Sequence, residues 1–226
     1  MAKIILAGGG NKNQSKHLDQ LLVKWIPKDK PLLYIPIAMP EKKHSYDECY
    51  KWIMSIFKPI GFDNIHLLTN LIGISLKKLK NYGGIYIGGG NTYDILDSIR
   101  VAGFAKKLNN YIEGGNPVYG GSAGACIMGK NILISSDNNK TNLSNYEGLD
   151  IIHGHSIYCH YNISHDSTIK NYMNKYNISV VAIPEDSGLV LDNERIYAYG
   201  KHGITLFNKK GKRFYPNHTL LLSSKF

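Results

Sequence analysis

Arginine is scarce in this 226-residue chain. Only Arg100, Arg195 and Arg213 occur within a Lys-plus-Arg total of 27, although the net charge is +10. Base-specific contacts to nucleic acid favour Arg. The lysines are scattered in short groups (Lys42-Lys43, Lys77-Lys78-Lys80, Lys106-Lys107, Lys209-Lys210-Lys212). The positive balance therefore reads as a solvated lysine surface, and no nucleic-acid partner is expected. Cysteine is also sparse: Cys49, Cys126 and Cys159 are odd in number and far apart in sequence. That excludes a disulfide framework and points to a reducing compartment. No apolar run approaches the roughly 20 residues that cross a bilayer, and the opening MAKIILAGGG is too short in apolar residues for a secretory signal. A cytoplasmic protein without membrane association is expected.

What is present suits a folded protein. The chain is 43% hydrophobic and 19% charged, with 23 Gly and 8 Pro, unlike a disordered sequence. Its length predicts one α/β domain over residues 1–226. KIILAGGG and PLLYIPIAMP read as buried strands. Between them, Leu18, Leu21, Leu22 and Trp25 recur at helical spacing over Ser15 to Trp25. Asp47 to Phe57 repeats that spacing before Pro59 and Gly61, and NIHLL follows as a short strand. IYIGGGNTYDILDSI then reads as strand, glycine turn and helix, Ala105 to Ile112 as helix, and Pro117-Val118-Tyr119 as strand. Strands alternating with helices predict a mostly parallel sheet with helices on both faces, whose strand carboxyl ends hold the site. The last third, with its short strands and turn pairs, predicts antiparallel strands at one edge.

The segment NPVYGGSAGACIMG contains Gly120-Gly121-Ser122-Ala123-Gly124, a G-x-S-x-G pattern between an expected strand and helix. A serine nucleophile on such a turn needs small neighbours, because its backbone is strained. The Ala123 amide would face the oxyanion of an acyl intermediate. The same pattern also serves as an anion-binding turn, so the serine reading requires a base and a group that orients it. HGHSIYCHYNISHD is the densest of the histidine stretches. It offers His160 at the close of a strand as base, or His153 and His155 with Asp166 as metal ligands. KNILISSDNN reads as an apolar strand with Asp137 at its end, either orienting the base or opening a turn.

With those positions in place, the sequence resembles the serine peptidase family of the aspartyl dipeptidases (dipeptidase E) and the cyanophycinases. IYIGGGNTYDIL, VYGGSAGA, ISSDN, YEGLDII, CHYN and AIPEDSGLVL carry the likeness in order, across Leu6 to Leu191. The resemblance implies a three-layer flavodoxin-like fold like that of class I glutamine amidotransferases. It implies Ser122 as nucleophile, His160 as base, Asp137 as its orienter, and an oxyanion hole from the Gly90 and Ala123 amides. Gly89 and Asn91 in the same turn, and Glu185 in IPEDSG, would support the site. Amidotransferases carry cysteine at the elbow; here that position is Ser122, and Cys126 reads as a packing residue. The expected function is hydrolysis of short peptides through a Ser-His-Asp triad and an acyl-enzyme, with no metal and no cofactor. A β-aspartyl hydrolase of the cyanophycinase kind and an inactive ligand-binding domain are the alternatives. The dipeptidases hold an acidic side chain with an arginine shortly after the histidine, yet Tyr161 to Lys175 contains none. Assembly is left open, a homodimer included.

Overall fold

The computed structural model describes residues 2–39, 44–193 and 195–223. Lys42 and Lys43 of the lysine groups, and Pro40 at the end of the second strand reading, lie outside them. The first half alternates strand and helix: β1 (Lys3–Ala7), α1 (Lys12–Trp25), β2 (Leu32–Ile35), α2 (Tyr46–Phe57), β3 (Ile65–Leu67), α3 (Leu76–Leu79) and β4 (Gly84–Ile87). Next come α4 (Thr92–Val101), α5 (Phe104–Glu113), β5 (Pro117–Gly121) and the short α6 (Ala123–Cys126). Asn11 and Ser45 close capping boxes with Gln14 and Glu48 at the starts of α1 and α2, which satisfies amides a helix start leaves open. Pro59, with Gly61 in the left-handed conformation just after it, terminates the α2 segment.

Strands β3, β2, β4, β5 and β1 pair in parallel in that order. Strand alternation sorts their side chains onto two faces. Ile4, Leu6, Leu33, Ile35, Ile85, Ile87 and Val118 share a core with α4 and α5. Ile5, Leu32, Tyr34, Tyr86 and Tyr119 share another with α1 and α2. This is the expected three-layer arrangement, and burial of both faces explains why these strands read as continuous apolar runs.

The later chain supplies β6 (His155–Tyr158), α7 (Asp166–Tyr176), β7 (Ser179–Ala182), β8 (Ser187–Asp192), β9 (Arg195–Gly200), β10 (Ile204–Asn208), β11 (Gly211–Tyr215) and β12 (Leu220–Ser223). As expected, β8, β9 and β12 extend the main sheet antiparallel, beyond β1. The other four strands differ from expectation: they form a second sheet ordered β11-β10-β7-β6, with α7 packed against it through Ile169 and Tyr172. The strand read over KNILISS is also corrected. Residues 130–136 form turns and one isolated bridge, Asn131 to Glu147. Ile132 and Ile134 are nonetheless buried, so their apolar character serves packing without a strand ladder.

Asp19 of α1 has no exposed surface. Its Oδ2 accepts a 2.7 Å hydrogen bond from Ser15 Oγ, and Oδ1 has no hydrogen-bond partner among the described residues. Burial pushes its pKa up to about 7, because the charged form loses hydration. The folded state therefore keeps a proton that the unfolded chain releases near the ordinary value of 3.8. Stability should fall as pH rises from about 4 to about 7, with a limiting slope of about 1.4 kcal/mol per pH unit. Urea unfolding at several pH values checks this: Asp19→Asn, which cannot ionise, should lack that slope. Parallel pH profiles for the two proteins would contradict it.

Candidate active site

The serine turn is built by steric necessity at the end of β5. Ser122 adopts φ 50°, ψ −111°, outside the regions an L-residue prefers. A Cβ on Gly120 would stand 2.5 Å from the Gly124 carbonyl oxygen, and one on Gly124 would stand 2.3 Å from the Ile87 carbonyl oxygen. The glycines on either side of the serine thus let α6 turn back tightly against β4 and β5. The end of β1 holds the arrangement together: the Ser122 amide donates to the Ala7 carbonyl (3.0 Å), and the His160 amide to the Gly8 carbonyl (2.9 Å).

His160 lies just beyond β6, with φ 53°. Its Nε2 is 2.8 Å from Ser122 Oγ, and its Nδ1 is 2.9 Å from Glu185 Oε1. With the proton on Nδ1 donated to Glu185, Nε2 is free to accept from the serine hydroxyl. Glu185 sits in the turn between β7 and β8, and its Oε2 accepts from Gln14 Nε2 at 3.1 Å. Hydrogen bonds from His160 and then Gln14 hold the Glu185 carboxyl below the usual range. The histidine and glutamate side chains are half-exposed, so a substrate can reach them.

Among the described residues Asp137 makes no hydrogen bond to His160. Its Oδ2 accepts from the Thr92 amide (2.8 Å), Thr92 Oγ1 (2.6 Å) and Ser135 Oγ (2.9 Å). These bonds hold the Asp137 Oδ2 at the start of α4, where a negative charge opposes the helix dipole favourably. The carboxylate within hydrogen-bond distance of His160 Nδ1 is that of Glu185, at 2.9 Å, which the sequence places only as a support.

The turn Gly88 to Asn91 lies across from the serine. A Cβ on Gly89 would sit 3.2 Å from Ser122 Cβ, so that residue abuts the serine. The Asn91 side chain accepts from the Tyr93 and Asp94 amides and donates to the Asn138 carbonyl; it caps α4 and ties down the loop that carries Asp137. Gly90 and Ala123 line, with Ser122, a polar cavity of about 290 Å³ that also holds Thr92, Asp137 and His165. Neither the Gly90 nor the Ala123 amide donates to a turn, loop or cap carbonyl among the described residues.

A second cavity of about 300 Å³ opens on the other side of Ser122 and His160, walled by Tyr34, Trp52, Tyr86 and Tyr119. The sequence reading did not single out these aromatics, nor Gln14 or Gly9. For the tyrosines a signal is present in the alternation of β2, β4 and β5, which places Tyr34, Tyr86 and Tyr119 on one face of the sheet.

The histidines proposed as ligands are otherwise engaged. His155 Nδ1 lies 2.9 Å from the Ile152 carbonyl, and Asp166 receives Tyr161 and Lys212. No group of three His, Cys, Asp or Glu side chains is placed to hold a metal among the described residues. Cys126 and Cys159, distant in sequence, meet behind the serine with sulfurs 3.6 Å apart, and both are free thiols. Hydrogen bonding from Cys126 and burial push the Cys159 thiol well up, which keeps it a poor nucleophile. Among the described residues, no helix is long and apolar enough to cross a membrane.

The sequence model of peptidase family S51 matches residues 4–198. The chain belongs to peptidase family S51. Within this family it is 25% identical over 208 residues to a peptidase E of Nostoc sp. (strain PCC 7120), covering 84% of this chain and 82% of that protein. It is 21% identical over 226 residues to a peptidase E of Pasteurella multocida, covering 92% and 94% respectively. A crystal structure of a peptidase from an acI-B1 Actinobacterium superposes with a TM-score of 0.71 at 17% identity, over 95% of this chain and 97% of that one. At that identity the superposition supports the fold alone. Family membership makes the chain a peptidase hydrolase of the serine class.

Proposed function

We propose that this S51 protein hydrolyses short peptides with Ser122 as nucleophile, His160 as general base and acid, and Glu185 as the carboxylate that orients His160. The observation that carries this reading is the continuous run of two hydrogen bonds, 2.8 Å from Ser122 to His160 and 2.9 Å from His160 to Glu185. Nε2 takes the serine proton as Oγ attacks the scissile carbonyl. Glu185 holds the ring and stabilises the imidazolium that forms. The Gly90 and Ala123 amides then stabilise the tetrahedral oxyanion. Collapse to the acyl-serine returns the proton from His160 to the leaving amine, and a water deprotonated by the same Nε2 releases the acid.

An acidic side chain is not the preferred substrate group in this reading. Tyr161 to Lys175 has no arginine, and lysine lacks the two-pronged contact that recognises a carboxylate. Reaction with a fluorophosphonate, followed by peptide mapping, tests the catalytic assignment. Ser122 should carry the label in the wild type, and labelling should be lost in His160→Ala. An unlabelled Ser122 would sink the assignment.

A further inference from the structure

The cavity beside Ser122 is built from rings that face one another. Tyr34 and Tyr86 meet edge to face with centroids 5.6 Å apart, and Trp52 lies 6.2 Å from Tyr34 and 6.5 Å from Tyr86. Tyr119 stacks under Tyr86 at 4.3 Å. The three tyrosines are at most 4% exposed, fixed by the sheet and the helices over it, whereas Trp52 on α2 is 42% exposed. The fixed floor and one open indole wall leave about 300 Å³ continuous with Ser122 and His160. That volume is at the lower end for small-molecule sites, roughly 300–1,000 Å³, and suits one large side chain with part of its backbone.

Resting on the peptidase reading above, we propose that this cavity binds an aromatic side chain of the substrate next to the scissile bond, with Trp52 as the specificity-determining wall. Ring edges and faces presented at 70–80° to each other complement an incoming ring, since aromatic pairs favour edge-to-face or offset contact. The same walls disfavour the charged alternatives. Among the described lining residues there is no Lys or Arg to meet a carboxylate, and the lining His44 faces Glu48, Nδ1 to Oε2 at 3.8 Å. The lining carboxylate Glu48 is held below its usual range by the Ser45 amide and so stays ionised, which repels an acidic group. A cationic side chain would compete for Glu48, whose Oε2 already accepts from the Ser45 amide (2.8 Å) and hydroxyl (3.3 Å) and lies 3.8 Å from His44 Nδ1. The carboxyl behind the rings, Asp19, has no exposed surface and is sealed from the cavity, so it offers an incoming cation no direct contact.

The test separates binding from catalysis. In a Ser122→Ala, Trp25→Phe protein, Trp52 is the sole tryptophan, and its fluorescence reports titration with Phe-Ala, Ala-Phe, Ala-Ala, Asp-Ala and Arg-Ala. One of the two phenylalanyl peptides should bind at least tenfold more tightly than Ala-Ala, Asp-Ala and Arg-Ala; whichever it is identifies the side of the bond that the cavity serves. Equal affinity across the panel, or tighter binding of Asp-Ala or Arg-Ala, would overturn the proposal. For hydrolysis by the Ser122 protein, Trp52→Ala should lower the phenylalanyl-to-alanyl ratio of kcat/KM by at least tenfold, and Trp52→Phe should restore most of it. An unchanged ratio counts against Trp52 as the determinant. If Ser122 takes no fluorophosphonate label and no peptide is cleaved, the catalytic reading fails, and the titration still decides what the cavity holds.

Discussion

Glu185→Gln lowers kcat by on the order of 10³-fold, while Asp137→Asn keeps kcat within about tenfold and instead lowers thermal stability. On sequence grounds Asp137 takes the orienting role and Glu185 only supports the site; the hydrogen bonds distribute the two carboxylates differently. The Glu185 oxygen 2.9 Å from His160 Nδ1 accepts the proton that fixes the useful tautomer. A glutamine there can present its amide N–H to Nδ1, stabilising the tautomer with the proton on Nε2, which cannot accept from Ser122. It also removes the negative charge that favours the imidazolium. Gln14 offers no compensation, since its amide donates to Glu185 Oε2. Asp137 instead binds three donors at the start of α4 and its adjoining loop, a capping role whose loss costs about 1 kcal/mol. Steady-state kinetics with melting curves for both variants decide between them. A large kcat loss in Asp137→Asn with Glu185→Gln near wild type would reverse the assignment.

The same comparison shows how far the sequence is legible. Buried strands of the main sheet announce themselves by β-branched runs, and α1, α2, α4 and α5 by apolar spacing, because these signals are local. The G-x-S-x-G turn is local too, and its strained serine follows from steric contacts within a few residues and with the neighbouring strand β4. Pairing His160 with Glu185 is a different kind of fact. The two are 25 residues apart, separated by α7 and by β7 of a sheet whose existence depends on β10 and β11 coming back from later in the chain. Asp137 resembles a strand-end acid only if Ile132 and Ile134 lie on a strand. Their burial is real, but turns deliver it, and the acid points to Thr92. The aromatic cavity escaped for a related reason: each tyrosine reads as an ordinary core residue of its own strand. Only the parallel register of β2, β4 and β5 aligns the three beside Trp52.

Gly9→Ala should abolish most activity while leaving a cooperatively folded protein. Gly9 has φ +104°, and a Cβ there would sit 2.2 Å from His160 Cε1, 2.8 Å from Nε2 and 2.9 Å from Nδ1. The imidazole must move away, which breaks both the Ser122 and the Glu185 contacts at once. Because the His160 side chain is half-exposed, it can swing into solvent without disturbing the core. The expected loss in kcat is on the order of 10³-fold, the cost of losing the base. The labelling rate at Ser122 should fall with it. Backbone strain from the positive φ adds about 1–3 kcal/mol of destabilisation. Gly73→Ala supplies the control, since Gly73 also has positive φ (+76°) and a Cβ there would have nothing within 4 Å. It should lower the melting temperature comparably and leave kcat intact. Wild-type kcat in Gly9→Ala would mean that the imidazole is not the group that activates Ser122. Equal kcat losses in both glycine variants would assign the effect to strain, because only Gly9 faces the ring.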